Sequence, residues 1–551
     1  MTQAPTWRVC LAALAAPILL FALPIAAALP VALWQGLDAA AWRALAADPQ
    51  LPRALALSIT SALVSTLASL ALALWLVTHL HASRLWPRLV RTLGPMLAVP
   101  HAAFAIGLAL LVMPAGVIAR LVALPLGWSE PPGWSTVNDP QGLGLMAVLV
   151  AKELPFLLWH LVALLARPEL AAQLRGWLAS GRTLGYADGA VWWRALWPLL
   201  LPRLAWPLLA VLAYSLTVVD LALIVGPASP PTLAVLAWQG LQDGDPQRNA
   251  EGAAAAVLLA SVLAAVIALG VGAAHAMARG WRWFATRGTR RMPRGGAAPA
   301  AVAWRAVLAL YAGVVALIVL SSFTGVWTFP SLLPQSWSLG AWTQVGDSLG
   351  TLALSAGLGV AATGAALLLA LLWFEFAPPA WDRRAMPVVL APLVIPPLLL
   401  LTGLYTLALP LRLDGTLAGL AWAHALAALP YVFVSLAPAW RSFDVRFEHT
   451  ALALGRTRVA FWWRVKAPLL AAPMSAALAV GFAVSVAQYL PTQFIGAGRH
   501  ATVTTEAVTL ASGGQRHTAA AFAALQALLP AVGFGLAAWI GHRRQRTGDG
   551  A

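Results

Sequence analysis

The chain has 551 residues, 61% of them hydrophobic and 10% charged, with a mean hydropathy of +0.79, well beyond the apolar share of ordinary soluble domains. Its single cysteine, Cys10, excludes an intramolecular disulfide, and no Cys/His cluster has the spacing of a structural metal site, so neither a metal nor another cofactor is expected. The formal charge of +16 raises nucleic acid as a partner, but no soluble fold carries the basic residues, and their placement points to a lipid bilayer instead.

Apolar stretches of about 20 residues recur along the whole length, each long enough as a helix to cross the hydrocarbon of a membrane. The first, 9–31, resembles a signal peptide, but it continues past Pro30 and more spans follow, so it is expected to remain as a helix. Hydropathy places the next five at 56–78, 92–113, 143–166, 198–225 and 253–275. Then comes ARGWRWFATRGTRRMPRGG, which holds Arg279, Arg282, Arg287, Arg290, Arg291 and Arg294 and no acid. Six further spans are expected at 304–322, 349–374, 387–411, 415–437, 467–490 and 519–541, followed by the basic cluster HRRQRTGDGA.

Arginine is concentrated in that central segment and in the loops around Arg84 and Arg383, whereas SSFTGVWTFPSLLPQSWSLGAWTQVGDSLG has no Lys or Arg. Short Arg-rich loops stay cytoplasmic. The expectation is an all-α polytopic membrane protein of about twelve spans in two six-helix lobes, with both termini inside. The lobes are 1–278 and 304–551, and 279–303 is a cytoplasmic linker.

The two halves repeat one polar sentence. Leu184, Gly185, Trp192, Trp193, Arg194 and Pro198 recur as Leu454, Gly455, Trp462, Trp463, Arg464 and Pro468, each 270 positions further on, in the loops 179–200 and 449–470. Upstream, VPHAAFAIG and IPPLLLLTG both set a Pro seven residues before a Gly, at Pro100/Gly107 and Pro396/Gly403. Duplication on this scale marks a two-lobed transporter. A Gly turn between short helices, with Pro opening the next span, makes a rigid element, and one copy per lobe suggests a partner with two equivalent docking sites.

The stretches ASGRTLGYADGAVWWRALWPLL and HTALALGRTRVAFWWRVKAPLL resemble the cytoplasmic EAA loop of ABC-importer permeases, which reads Glu-Ala-Ala, three residues, Gly, and later a Pro-containing start of the next helix. Ala179 and His449 stand where the family usually has its first Glu, and Gly181 replaces the second Ala of the first copy. The resemblance covers nearly the whole chain and is strongest to the fused permeases of the thiamine and iron(III) importer group. It implies the type I importer fold, location in a bacterial inner membrane, two ABC ATPase subunits coupled through the loops, a periplasmic solute-binding protein, and import of a small polar solute by alternating access.

No ATPase site is expected in this chain, because its only lysines, Lys152 and Lys466, follow Ala and Val rather than the Gly of a phosphate-binding loop. Intramembrane ionisable groups tend to face a bundle interior or a polar path. Lys152 and Glu153 in the fourth span, Asp220 in the fifth and Gln488 in the eleventh are therefore candidate solute-path residues, with His101 and Tyr489 nearby in the pattern. Charge balance between Lys152 and Glu153 or Asp220 is the plainer alternative. An ion-coupled transporter of the major-facilitator type would also have six plus six spans, but its characteristic loop is absent from HLHASRLWPRLVRT. A polytopic membrane enzyme would need paired acids, and Asp243, Asp245 and Glu251 read more simply as solvated loop charges.

Overall fold

A computed structural model describes residues 7–286 and 296–548; Arg287, Arg290, Arg291 and Arg294 of the expected linker lie outside the described residues. The fold is all-α. Ten helices are long and apolar enough to cross a membrane, and two bent helix pairs bring the number to twelve among the described residues. They are α1 (Ala12–Gln35), α2 (Leu51–Leu80), α3 (His101–Leu126), α4 (Leu143–Leu165), α5 (Asp188–Thr217) and α6 (Pro246–Trp283). The second half supplies α7 (Ala297–Ser322), α8 (Leu349–Phe376), the pair α9 (Pro379–Val394 and Pro397–Ala408), α10 (Leu417–Arg441), the pair α11 (Arg458–Leu469 and Ala471–Val486) and α12 (Arg516–Gly541).

Four spans expected to be continuous are interrupted. The helix Trp86–Ala98 stops at Val99 and α3 restarts beyond Pro100; the limbs of α9 meet at Ile395 and Pro396 with a bend of 106°. A proline pushes its predecessor out of helical geometry, and Val99 and Ile395 take extended ψ angles of 119° and 133°. The fifth span ends at Thr217 and resumes as Asp220–Val225, and its counterpart ends at Val486 and resumes as Leu490–Ile495. Val218 supplies the extended turn in the first case, with ψ 131°.

Two compact units form, Asp38–Trp337 and Met1–Leu37 with Ser338–Ala551, so packing does not divide the chain at the Arg-rich segment. Glycines explain the grouping. In the first unit Gly107 lies against α7, where an added Cβ would come 2.7 Å from Val314 Cγ1. In the second, Gly403 lies against α1, where a Cβ would come 1.9 Å from the Ala28 carbonyl oxygen. Each half thus lends its first span to the unit built on the other half's third. Within the units the same hydrogen bonds recur: Leu233 N donates to Ser58 Oγ and Val503 N to Ser355 Oγ, both at 2.8 Å. Asn138 N likewise donates to Val225 O, and Gly415 N to Ile495 O.

Prolines inside the spans leave carbonyls without their helical donor, and in hydrocarbon no water replaces it. Side chains from other helices do so here. Pro24 frees Leu20 O, which accepts from Trp422 Nε1 at 2.9 Å. Pro100 frees Met96 O, which accepts from Lys152 Nζ at 3.3 Å. Pro155 frees Ala151 O, which accepts from the Tyr311 hydroxyl at 2.9 Å. Buried Arg120 performs a similar task outside the helices, donating to the carbonyls of Ala115, Trp327, Thr328 and Ser331 and so pinning the loop after α7.

Removal of one such donor should be measurable. Tyr311→Phe keeps the ring and strands Ala151 O, an expected loss of about 1 kcal/mol. Thermal unfolding in detergent should show a lower midpoint than wild type, with Tyr405→Phe, which removes no such bond, unchanged; equal midpoints for all three would contradict the role given to Tyr311.

Candidate coupling loops and intramembrane polar site

Both repeated loops are built the same way. The amphipathic helix Pro168–Thr183 and the shorter Arg446–Ala453 each end in a left-handed glycine, Gly185 with φ +79° and Gly455 with φ +74°. Gly185 N donates to Arg182 O and Tyr186 N to Gly181 O; Gly455 N donates to Leu452 O and Arg456 N to Ala451 O. This paired bonding is the Schellman ending, which satisfies the last carbonyls of a helix and favours glycine because a side chain is strained at positive φ. The turn presents Leu184 and Leu454 outward, 61% and 74% exposed.

Beyond each turn a short helix passes into a π turn, Trp192–Leu196 in one copy and Trp462–Lys466 in the other, again 270 positions apart. Single π turns are uncommon and collect at functional sites. In this register Trp197 N bonds Trp192 O, and Ala467 N bonds Trp462 O. The following proline, Pro198, cannot donate to Trp193 O, which accepts instead from Trp281 Nε1 at 2.7 Å. Sequence spacing located the loops and their Gly, Trp, Arg and Pro residues, but nothing in it announced the extra residue per turn.

The supports differ between the copies. In the first, Trp192 and Trp197 are buried against the end of α2: Trp197 Nε1 donates to Thr78 Oγ1 at 2.9 Å, and Trp192 meets His81 edge-on at 5.6 Å. Burial lowers the His81 pKa from its ordinary value, favouring a neutral imidazole there. Arg194 lies over the Tyr186 ring at 6.0 Å, and Trp193 stacks on Trp281. In the second copy Lys466 bonds Glu375 at the end of α8, at 2.6 Å, and lies over Trp440 at 4.4 Å. Arg464 is exposed, Trp462 and Pro468 are half-buried, and Trp463 is 68% exposed.

The candidate path residues fall at the helix breaks. Lys152 is 2% exposed, and its ammonium donates to Val99 O at 2.6 Å as well as to Met96 O, with the rings of Phe104 and Tyr311 beside it. It closes the break before α3 and forms no direct bridge to Glu153 or Asp220. Glu153 lies 3.7 Å from His101 Nε2, and the His101 ring meets Tyr214 edge-on at 5.0 Å. Asp220 opens the helix Asp220–Val225, near His101 and with the Leu221 N–H as a donor. Of this group His101 has 39% of its side chain exposed, whereas Glu153 is buried.

In the second half Gln488 lies in the break itself, its amide donating to Val484 O. His424 of α10, missed by the sequence reading, spans that break: Nδ1 lies 2.9 Å from Ser485 Oγ and Nε2 2.9 Å from Thr492 Oγ1. Thr492 gives its own proton to Gln488 O, so it accepts from Nε2–H while Nδ1 accepts from Ser485. A lone His in the apolar run LAWAHALAALP was the available signal, by the rule that selected Lys152.

Duplicated spans broken at matching positions, with a repeated loop between the fourth and fifth spans of each half, define a membrane permease. Over 514 residues, 92% of each chain, it is 37% identical to the inner membrane ABC transporter permease protein YnjC of Escherichia coli (strain K12). Over 119 residues, 19% of this chain and 45% of theirs, it is 31% identical to the molybdenum transport system permease protein ModB of Mycobacterium bovis and of Mycobacterium tuberculosis. No family model matches the chain. The protein belongs to the ABC transporter permeases and is a multi-pass, membrane-embedded transport subunit.

The glycine turn gives a direct test of the loop geometry. A Cβ on Gly455 would meet nothing within 4 Å, so Gly455→Ala isolates backbone strain, an expected cost of about 1 kcal/mol. Gly455→Asn should recover part of the lost unfolding midpoint, since Asn tolerates the left-handed region; an alanine variant as stable as wild type would argue against a required positive φ.

Proposed function

We propose that this chain is the fused permease of a binding-protein-dependent ABC importer in a bacterial inner membrane. Its sequence halves, 1–278 and 304–551, act as two lobes of the type I importer fold, joined by a cytoplasmic linker and with both termini inside. Two separate ABC ATPase subunits dock on the loops 179–200 and 449–470, and a periplasmic binding protein delivers a small polar solute, of the kind carried by the thiamine and iron(III) group. The observation that carries this reading is the twin loop: the same Schellman glycine and π turn, with a protruding Leu, at one offset in both halves. ATP-driven closure of the partner subunits pushes the two loops, and the lobes alternate between outward and inward access.

Coupling is tested at the protruding leucines. Leu184→Asp and Leu454→Asp replace exposed side chains and should leave folding intact, while solute-stimulated ATP hydrolysis by the assembled complex falls about tenfold or more through loss of an apolar anchor. Unchanged stimulation with normal assembly would remove the docking assignment from these turns.

In this reading the solute passes the group formed by Glu153, His101 and Asp220 in the first half and Gln488 in the second, while Lys152 serves the scaffold. The roles separate in one experiment. Asp220→Asn should reduce uptake at matched membrane abundance with little change in unfolding midpoint. Lys152→Met should destabilise the fold by about 1–3 kcal/mol for carbonyls left unpaired, seen as a lower unfolding midpoint. Full uptake by Asp220→Asn would exclude Asp220 from the path.

A further inference from the structure

An apolar cleft of about 360 Å³ lies in the unit formed by Met1–Leu37 and Ser338–Ala551, a volume within the roughly 300–1,000 Å³ of small-molecule sites. Its walls come from the π turn Ile18–Ala22 inside α1, the last turns of α8, the start of α9 and the middle of α10. Phe21, Leu369, Val389 and Phe433 are buried along it. The outer side of α1 is as apolar, with Ile18, Leu19, Leu20 and Leu23 exposed where hydrocarbon would surround them. An aqueous ligand has nothing to bond inside this cleft.

Its mouth has a different character. Trp381, 41% exposed, and Arg384 stand at the rim, where α8 turns into α9. The neighbouring polar groups are already engaged: Asp382 accepts from Arg441 at 2.8 and 2.9 Å and from Trp373 Nε1 at 2.9 Å. Arg384 makes no hydrogen bond or ion pair among the described residues, and neither does exposed Arg383 beside it. The rim therefore carries uncompensated positive charge above an apolar slot, at the end of a membrane span. Tryptophan favours that level of the bilayer, and a guanidinium pairs with phosphate through two parallel hydrogen bonds.

We propose that the cleft holds one acyl chain of an anionic phospholipid, with the Arg384 guanidinium on the lipid phosphate and Trp381 at the glycerol level. Charge decides for an anionic headgroup, because the ammonium of a zwitterionic lipid would be repelled by two arginines, and the neighbouring acids Asp382 and Glu375 are held by Arg441 and Lys466. The inference needs only that the chain spans a bilayer and is independent of the transported solute.

Native mass spectrometry of the full chain in detergent, titrated with phosphatidylglycerol and with phosphatidylcholine of matched acyl chains, tests it. Wild type should bind the first phosphatidylglycerol about tenfold more tightly than phosphatidylcholine. Arg384→Gln should abolish that preference while leaving phosphatidylcholine binding unchanged, and Ala370→Trp, which fills the cleft, should weaken the first site for both lipids. Arg384 is exposed, so its variant remains informative even if Ala370→Trp fails to fold. Equal affinity for the two lipids in wild type, or a phosphatidylglycerol preference that survives Arg384→Gln, would overturn the proposal.

Discussion

A backbone carbonyl released inside hydrocarbon must find a donor in the protein, because water is absent and an unpaired group costs several kcal/mol in an apolar medium. The placement of polar side chains in this permease follows from that constraint. Trp422, Lys152, Tyr311 and Trp281 each give a hydrogen to a carbonyl that a proline has left open, and the bonds join helices far apart in sequence. Proline thus acts twice. It breaks or distorts a span, and by exposing an acceptor it obliges another helix to come close, so irregularity in one helix becomes a tie between two.

The equivalent spans α4 and α10 serve different breaks in the two halves, with different chemistry. In the first, a buried ammonium from α4 bonds the end of the helix before α3. In the second, the neutral imidazole of His424, from the equivalent span α10, bridges the break in α11 through Ser485 and Thr492. A buried charge is held only when well bonded, whereas a neutral imidazole between two hydroxyls carries no net charge to neutralise. Duplication kept the position of the breaks while the side chains around them diverged, and the first half gathered Glu153, His101 and Asp220 around its breaks.

The sequence carried most of the architecture but little of this bonding. Hydropathy found the spans, since each must match the thickness of the hydrocarbon, but shifted some of them: the third was expected at 92–113 and its helix is His101–Leu126, the fifth at 198–225 and its helix is Asp188–Thr217. The offset of Gly185 from Gly455 located the loops, and the Pro100 and Pro396 correspondence marked two positions where spans expected to be continuous are broken. Three features stayed hidden, for physical reasons. The π turns have no residue-type signature; the donors to freed carbonyls depend on tertiary approach, as with Trp422 and Leu20, 402 positions apart. The exchange of α1 and α7 between units depends on the close approach of helices at Gly403 and Gly107, which hydropathy does not register. Lys152 shows the same limit: its burial was legible, but its hydrogen bonds to Val99 O and Met96 O were not.

A loop that transmits force must be stiffer than the structure it moves, and the two copies achieve this by different means. The first is wedged by aromatic packing: Trp192 and Trp197 are buried on the end of α2, and Trp281 of α6 stacks on Trp193 and bonds its carbonyl. The second is held by charge, with Lys466 on Glu375 of α8 and Arg441 clamping Asp382 at the start of α9. In each case the contact reaches the end of that half's second span, α2 or α8. If the loops couple to ATPase subunits as proposed, a push at Leu184 or Leu454 passes along a π turn into α5 or α11 and sideways into that second span. The broken turns at 218–219 and 487–489 lie further along the same helices, beyond the wedge. The segment between loop and break is then driven as a rigid lever, and the breaks are where its motion ends, beside the polar groups that would meet the solute.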